Sequence, residues 1–182
     1  MTKRETAAAA VTVMIRSSGR RELREALASV AAQTYPAIDV VVVDVTGGAH
    51  PPLEERCGEF PARLVSDGVA LPRSRAANVA LGNASGEYLI FLDDDDTFEP
   101  DHIAGLMRAL ADNGSARAAY AGVTAIDAEG AVLRHFNEPF DRHKLMRSNF
   151  TKVSTRKPKA SRDRSSEVYL LATGKLEQSG ES

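Results

Sequence analysis

Tryptophan is missing from this chain, aromatic residues fill only 5% of its 182 positions, and there is a single cysteine, Cys57. One thiol cannot close an internal disulfide, so a cystine-stapled secreted scaffold is excluded. Charge of one sign is also lacking. The formal net charge is −2, and without a basic excess no nucleic-acid partner is expected. Long apolar runs are absent too. The longest, Ala7 to Ile15, is broken by Thr12 and falls far short of the ~20 residues a spanning helix needs. It follows Lys3 and Arg4 as a signal peptide would, but Arg16 closes it and no small-residue cleavage pattern follows. The expected setting is cytoplasmic, at most peripheral to the inner membrane face.

What is present is an ordinary globular composition, 43% hydrophobic and 26% charged, in a length that suits one domain. Val11–Ile15 is a short β-branched run. Residues 21–33 then place Leu23, Leu27, Val30 and Ala31 at helical spacing. Asp39–Asp44 encloses four valines, a continuous apolar strand of the kind covered on both faces by helices. Residues 50–61 read as loop and 62–66 as a short strand. A helix is expected from Pro72 to Asn83, with Ala76, Val79 and Ala80 inward. Tyr88–Leu92 is the strongest strand signal, and another helix is expected over 100–112. Residues 118–126 and 131–136 flank a turn at Asp127–Gly130.

Strands alternating with helices in this order predict an α/β fold with a mostly parallel, Rossmann-type sheet flanked by helices. The expected organisation is an N-terminal extension over 1–10, one domain over 11–150 and a polar tail over 151–182. The tail carries seven Lys/Arg against four Asp/Glu, a balance of +3 that leaves −5 for the first 150 residues. Its serines and charges predict poor order.

Ligands of such sheets sit beyond the carboxyl ends of the strands. That rule selects 16–19, 44–48 and 93–96. Asp93-Asp94-Asp95-Asp96 directly follows the apolar strand. Carboxylates about 6 Å apart repel by roughly 0.7–3 kcal/mol per pair. A divalent cation relieves that repulsion, and an oxygen-only donor set suits Mg²⁺ or Mn²⁺. On extended chain Asp93 and Asp95 point one way, Asp94 and Asp96 the other. The plainer alternative is a solvated loop in which Asp96 or Thr97 caps the next helix. Asp44 ends a strand where it can accept from a base or ribose, or simply bond the Thr46–Gly48 turn. Arg73 and Arg75 enter a helix where a diphosphate could lie, or are merely solvated. His50, His102, His135 and His143 show no metal-ligand spacing and read as surface residues. Nothing near Cys57 argues for a nucleophile.

Val11–Ile15, Gln33-Thr34-Tyr35-Pro36, Val40–Asp44, Ala76-Ala77-Asn78 and Gly86–Asp96 together resemble the family 2 nucleotide-sugar glycosyltransferases of the GT-A fold. The resemblance covers roughly Val11 to Phe150. It implies that Arg16, Ser17 and Ser18 line the nucleotide base, that Asp44 holds the base, and that Asn78 borders the donor pocket. It also implies a D-x-D element in which Asp93 and Asp94 face the nucleotide sugar and Asp95, with Asp93, holds Mg²⁺ or Mn²⁺ on the diphosphate. The implied donor is a UDP- or other NDP-sugar, and the acceptor is a glycan, lipid or protein. Arg16-Ser17-Ser18-Gly19 departs from the family's Pro-Thr-Tyr-Asn. Ala77 stands where the family has arginine, so Arg75 is the substitute phosphate ligand. No residue is assigned as catalytic base. Two alternatives remain open: a haloacid-dehalogenase-like phosphatase using Asp93 and Asp95, and a nucleotide-binding remnant without turnover.

Overall fold

A computed structural model describes residues 8–113, 116, 118–127, 130–136 and 170–172. Its order is β1 (Val11–Ser17), α1 (Leu23–Ala31), β2 (Ile38–Asp44), β3 (Arg56–Cys57), β4 (Phe60–Ser66), α2 (Arg73–Asn83), β5 (Tyr88–Asp93), α3 (His102–Asp112), β6 (Ala118–Ala119), β7 (Val123–Ile126), β8 (Val132–Phe136) and β9 (Leu170–Ala172). Seven strands form one sheet in the order β3-β4-β2-β1-β5-β9-β6. The four central strands are parallel, and β3, β9 and β6 add antiparallel pairings at the flanks.

Alternation along β1 divides the core between two faces. Val11, Val13 and Ile15 pack with Val40, Val42, Ile90 and Leu92 beneath α1 and α3. Met14 turns to the opposite face and joins Val41, Val43 and Leu89 beneath Ala76 and Ala80 of α2. Each fully buried aliphatic side chain contributes roughly 1.5–3 kcal/mol, which explains why a run of valines settles at the sheet centre. At the amino edge, Gly86 lets β5 approach β1. A Cβ there would stand 2.6 Å from the Thr12 backbone nitrogen. The Gly86 N–H instead donates to Thr12 Oγ1 at 2.8 Å.

Several boundaries differ from the sequence reading. Pro72 is extended and precedes α2 rather than starting it. The expected loop 50–61 contains β3 and the start of β4, paired antiparallel as a hairpin. The single strand expected over 118–126 is divided: β6 joins the main sheet, while β7 pairs with β8 in a separate two-stranded sheet. The turn between β7 and β8 is closed by the Ala131 N–H on Asp127 Oδ1 at 2.8 Å. Within 151–182 the described residues are Leu170–Ala172, which pair with both β5 and β6; the rest of the tail expected to be poorly ordered lies outside the described residues.

Candidate functional site

Register alone assembles a row of polar groups at the carboxyl edge. Ser66 of β4 stands opposite Asp44 of β2, Asp44 opposite Ser17 of β1, and Arg16 of β1 opposite Asp93 of β5. Residues far apart in the chain are level there because three parallel pairings end together.

Asp44 is 1% exposed. Its Oδ1 accepts the Thr46 N–H and Oγ1–H, each at 2.6 Å. Its Oδ2 accepts Gly48 N–H at 2.7 Å and Ser66 Oγ–H at 2.9 Å. Burial pushes its pKa up, but these four donors outweigh that and hold the carboxyl down at about 2. All four acceptor sites are thus taken, and Asp44 fixes the loop that follows β2. Of the two roles open to it, the structure displays the turn bond.

Ser17, also 1% exposed, accepts the Gly19 N–H at 3.0 Å. The Nδ1 of His50 lies 2.6 Å from the Pro51 carbonyl and its Nε2 3.0 Å from Ser17 Oγ. A carbonyl only accepts, so Nδ1 carries a proton, and in the neutral ring Nε2 then accepts from the serine hydroxyl. His50 is therefore a structural partner of β1 rather than a bystander. Cys57 is buried, and burial raises its thiol pKa, which agrees with its exclusion as a nucleophile.

The aspartate run is not extended. The Asp96 N–H donates to the Asp93 carbonyl at 3.1 Å, so the chain turns and the expected alternation of side chains does not apply. Nor do Asp96 or Thr97 cap a helix, because α3 begins at His102 with Asp101 before it. Asp94 is the buried member, 4% exposed. Arg16 Nη2 pairs with Asp93 Oδ1 and Arg20 Nη2 with Asp94 Oδ1. Arg20 Nη1 lies 3.6 Å from Asp95 Oδ2, and the Ser18 N–H reaches Asp94 Oδ2 at 3.4 Å. The hydrogen bond to Asp94 raises the Arg20 pKa further above its usual value. Gly19, at φ +76°, makes the turn that carries Arg20 back over the aspartates.

Gln33 anchors this loop from behind. Its Nε2 donates to Glu99 O at 2.7 Å and to Ser29 O at 3.1 Å, and its Oε1 accepts Ile103 N–H at 3.0 Å. The next residue, Thr34, donates its N–H to Pro100 O at 2.9 Å. The 94–101 segment is therefore tied to the end of α1 and the start of α3. Neither Arg20 nor the bridging role of Gln33 emerges from the motif spacing, since Arg20 meets Asp94 and Gln33 meets Glu99 and Ile103 across more than sixty residues.

Arg75 and Asn78 are not drawn into this cluster. Arg75 Nη2 lies 3.5 Å from Asp67 Oδ2, both side chains well exposed, and Asn78 is exposed on α2. Among the described residues no three His, Cys, Asp or Glu side chains converge as a ready-made metal cage. No described helix is long and apolar enough to cross a membrane.

Comparison with known proteins gives the family and the fold. The family model described as "Glycosyl transferase family 2" matches residues 11–164. The chain is 33% identical over 118 residues to the succinoglycan biosynthesis protein ExoO of Rhizobium meliloti, covering 62% of this chain and 32% of that protein. It is similar in fold to the mannosyltransferase PcManGT of Pyrobaculum calidifontis, solved in complex with GDP-Man and Mn²⁺. There the TM-score is 0.51 at 28% identity, over 62% of this chain and 35% of that one. A shorter likeness, 85% identical over 26 residues, is to ribosomal RNA large subunit methyltransferase E of Methylobacillus flagellatus, 14% of this chain and 13% of that protein. That length is well below a domain. The chain spans about a third of the length of ExoO and of PcManGT. The family match runs over most of the sequence, residues 11–164, and the chain belongs to glycosyl transferase family 2.

Proposed function

We propose that this chain binds a nucleoside-diphosphate sugar at the carboxyl edge of its sheet and serves as the donor-binding part of an inverting glycosyltransferase. What supports this most is the convergence of the Arg16–Ser18 segment, Asp44 and Asp93–Asp95 along that edge in a family 2 chain. Arg16, Ser17 and Ser18 border the base. Asp44 shapes the same end of the pocket by pinning its loop. Asp93 and Asp94 face the ribose and diphosphate, Asn78 borders the pocket, and Arg75 reaches the phosphates after leaving Asp67.

The hard oxygens of Asp93 and Asp95 suit Mg²⁺ or Mn²⁺ by donor chemistry, and PcManGT, 28% identical, is described with Mn²⁺ and GDP-Man. When bound, such a metal neutralises charge on the departing diphosphate. In the transfer, an acceptor hydroxyl oxygen of a glycan, lipid or protein bonds to C1 of the sugar. The C1–O bond to the diphosphate breaks, the leaving group keeps the electron pair, and C1 inverts. The hydroxyl proton passes to a base that none of the residues above supplies.

The phosphatase alternative fares worse. Family membership lies elsewhere, and Asp93 is engaged by Arg16.

Calorimetry with UDP and GDP, with and without Mn²⁺, tests the proposal. Metal-dependent binding is expected, and Asp95→Ala should abolish it. Absence of nucleotide binding with Mn²⁺ present refutes it. Nucleotide affinity without sugar transfer or donor hydrolysis identifies the binding-only alternative.

A further inference from the structure

The aspartate run already has cations of its own. Arg16 is level with Asp93 in the β1–β5 register and pairs with it. Arg20 pairs with Asp94 and reaches Asp95 at 3.6 Å. Each of these three carboxylates thus has a guanidinium on it, and the oxygens that suit a dication are the ones the arginines hold.

Building on the donor-binding reading, we propose that Arg16 and Arg20 are resident counter-cations that exchange partners, from the aspartates to the diphosphate, so that metal and nucleotide bind well only together. The pairing of charges within the cluster argues for this coupling. Three carboxylates against two guanidiniums leave the cluster at −1. A dication alone drives it to about +1, a diphosphate diester alone to about −3, and the two together return it to about −1. A metal arriving alone strands two guanidiniums beside a dication. A diphosphate arriving alone takes the guanidiniums and leaves the carboxylates facing its own negative oxygens. With both present the dication offsets the carboxylates the arginines leave, and the arginines gain a planar, bidentate match to phosphate oxygens. Arg20, whose side chain is 43% exposed, has the freedom to swing. Asp94, nearly buried, stays behind with the Ser18 N–H as its remaining donor.

The test is Mn²⁺ titration of the full chain, with free Mn²⁺ read by electron paramagnetic resonance, in the absence and presence of UDP. The signal of the Mn²⁺–UDP complex in buffer is subtracted. In the wild type, UDP should tighten Mn²⁺ binding about 5–150-fold, and Mn²⁺ should tighten UDP by the same factor. In Arg16→Gln/Arg20→Gln, Mn²⁺ alone should bind about tenfold more tightly than in the wild type, and the coupling to UDP should shrink. Arg20→Lys, which keeps the charge, should leave Mn²⁺ affinity near the wild-type value. If the double variant fails to fold by circular dichroism, Arg20→Gln alone carries the same comparison. Unchanged or weaker Mn²⁺ affinity in a folded Arg→Gln variant overturns the inference while leaving donor binding intact. A wild type that binds no UDP at any Mn²⁺ concentration overturns both.

Discussion

His102 offers the sharpest quantitative test of the packing behind the site. The sequence placed it on the surface. Instead it opens α3 with its ring stacked on Phe98, centroids 4.8 Å apart and planes 10° from parallel. Its Nε2 is buried and finds no hydrogen-bond partner among the described residues. Burial disfavours the imidazolium, Asp101 opposes that only in part, and the pKa falls from 6.5 to about 4. Between those values the unfolded chain binds a proton that the folded chain does not, so stability falls as pH falls through that window. Above about pH 6.5 the contribution is complete, and below about 4 no further loss comes from this group. The linkage amounts to about 3 kcal/mol in full and about 2.5 kcal/mol by pH 4.5. Urea unfolding of wild type and His102→Phe at pH 7 and 4.5 measures it. Phenylalanine keeps the stack on Phe98 but cannot take a proton, so its stability loss between the two pH values should be smaller by about 2–3 kcal/mol. Equal losses in the two proteins would refute the burial argument.

Other substitutions separate support from binding. Gly86→Ala forces a Cβ against the Thr12 backbone and should cost about 1–3 kcal/mol. It should lower Tm while nucleotide affinity below the transition stays unchanged, because the clash is at the amino edge; an unaltered Tm would count against the close approach. Gln33→Leu leaves Ile103 N–H without its acceptor and two carbonyls without their donor, at about 2–3 kcal/mol. Hydrogen exchange at the Ile103 amide should quicken, and protection equal to wild type would contradict the bridge. Asp44→Asn should be less stable by about 2 kcal/mol at neutral pH. Because the Asp44 pKa is lowered from 3.8 to about 2, the wild-type advantage holds above pH 4 and shrinks as pH falls towards 2. A gap of the same size at pH 2.5 would rule out the carboxylate network.

The local elements were legible because their cause is local. Val11–Ile15, the four valines after Asp39 and Tyr88–Leu92 are apolar enough to be central strands wherever they are placed. Residues 21–33, 72–83 and 100–112 carry helical spacing, and the run of four aspartates marks the end of β5. Strand–helix alternation was then enough for a parallel sheet with its acidic group at the carboxyl edge.

Whatever depends on which distant residues meet was not legible. Arg16 against Asp93 and Arg20 against Asp94 are separations of 77 and 74 residues. They follow from the β1–β5 register and the turn at Gly19. The roles of Gln33 and His50, and the pairing of Leu170–Ala172 beside β5, likewise come from contacts between distant residues, and His102, though stacked on nearby Phe98, owes its shifted pKa to burial. Hydrophobic periodicity determined by itself what each segment becomes, because each residue carries its own transfer free energy. Only tertiary structure decided which charge faces which, because register and loop closure bring partners together from opposite ends of the fold.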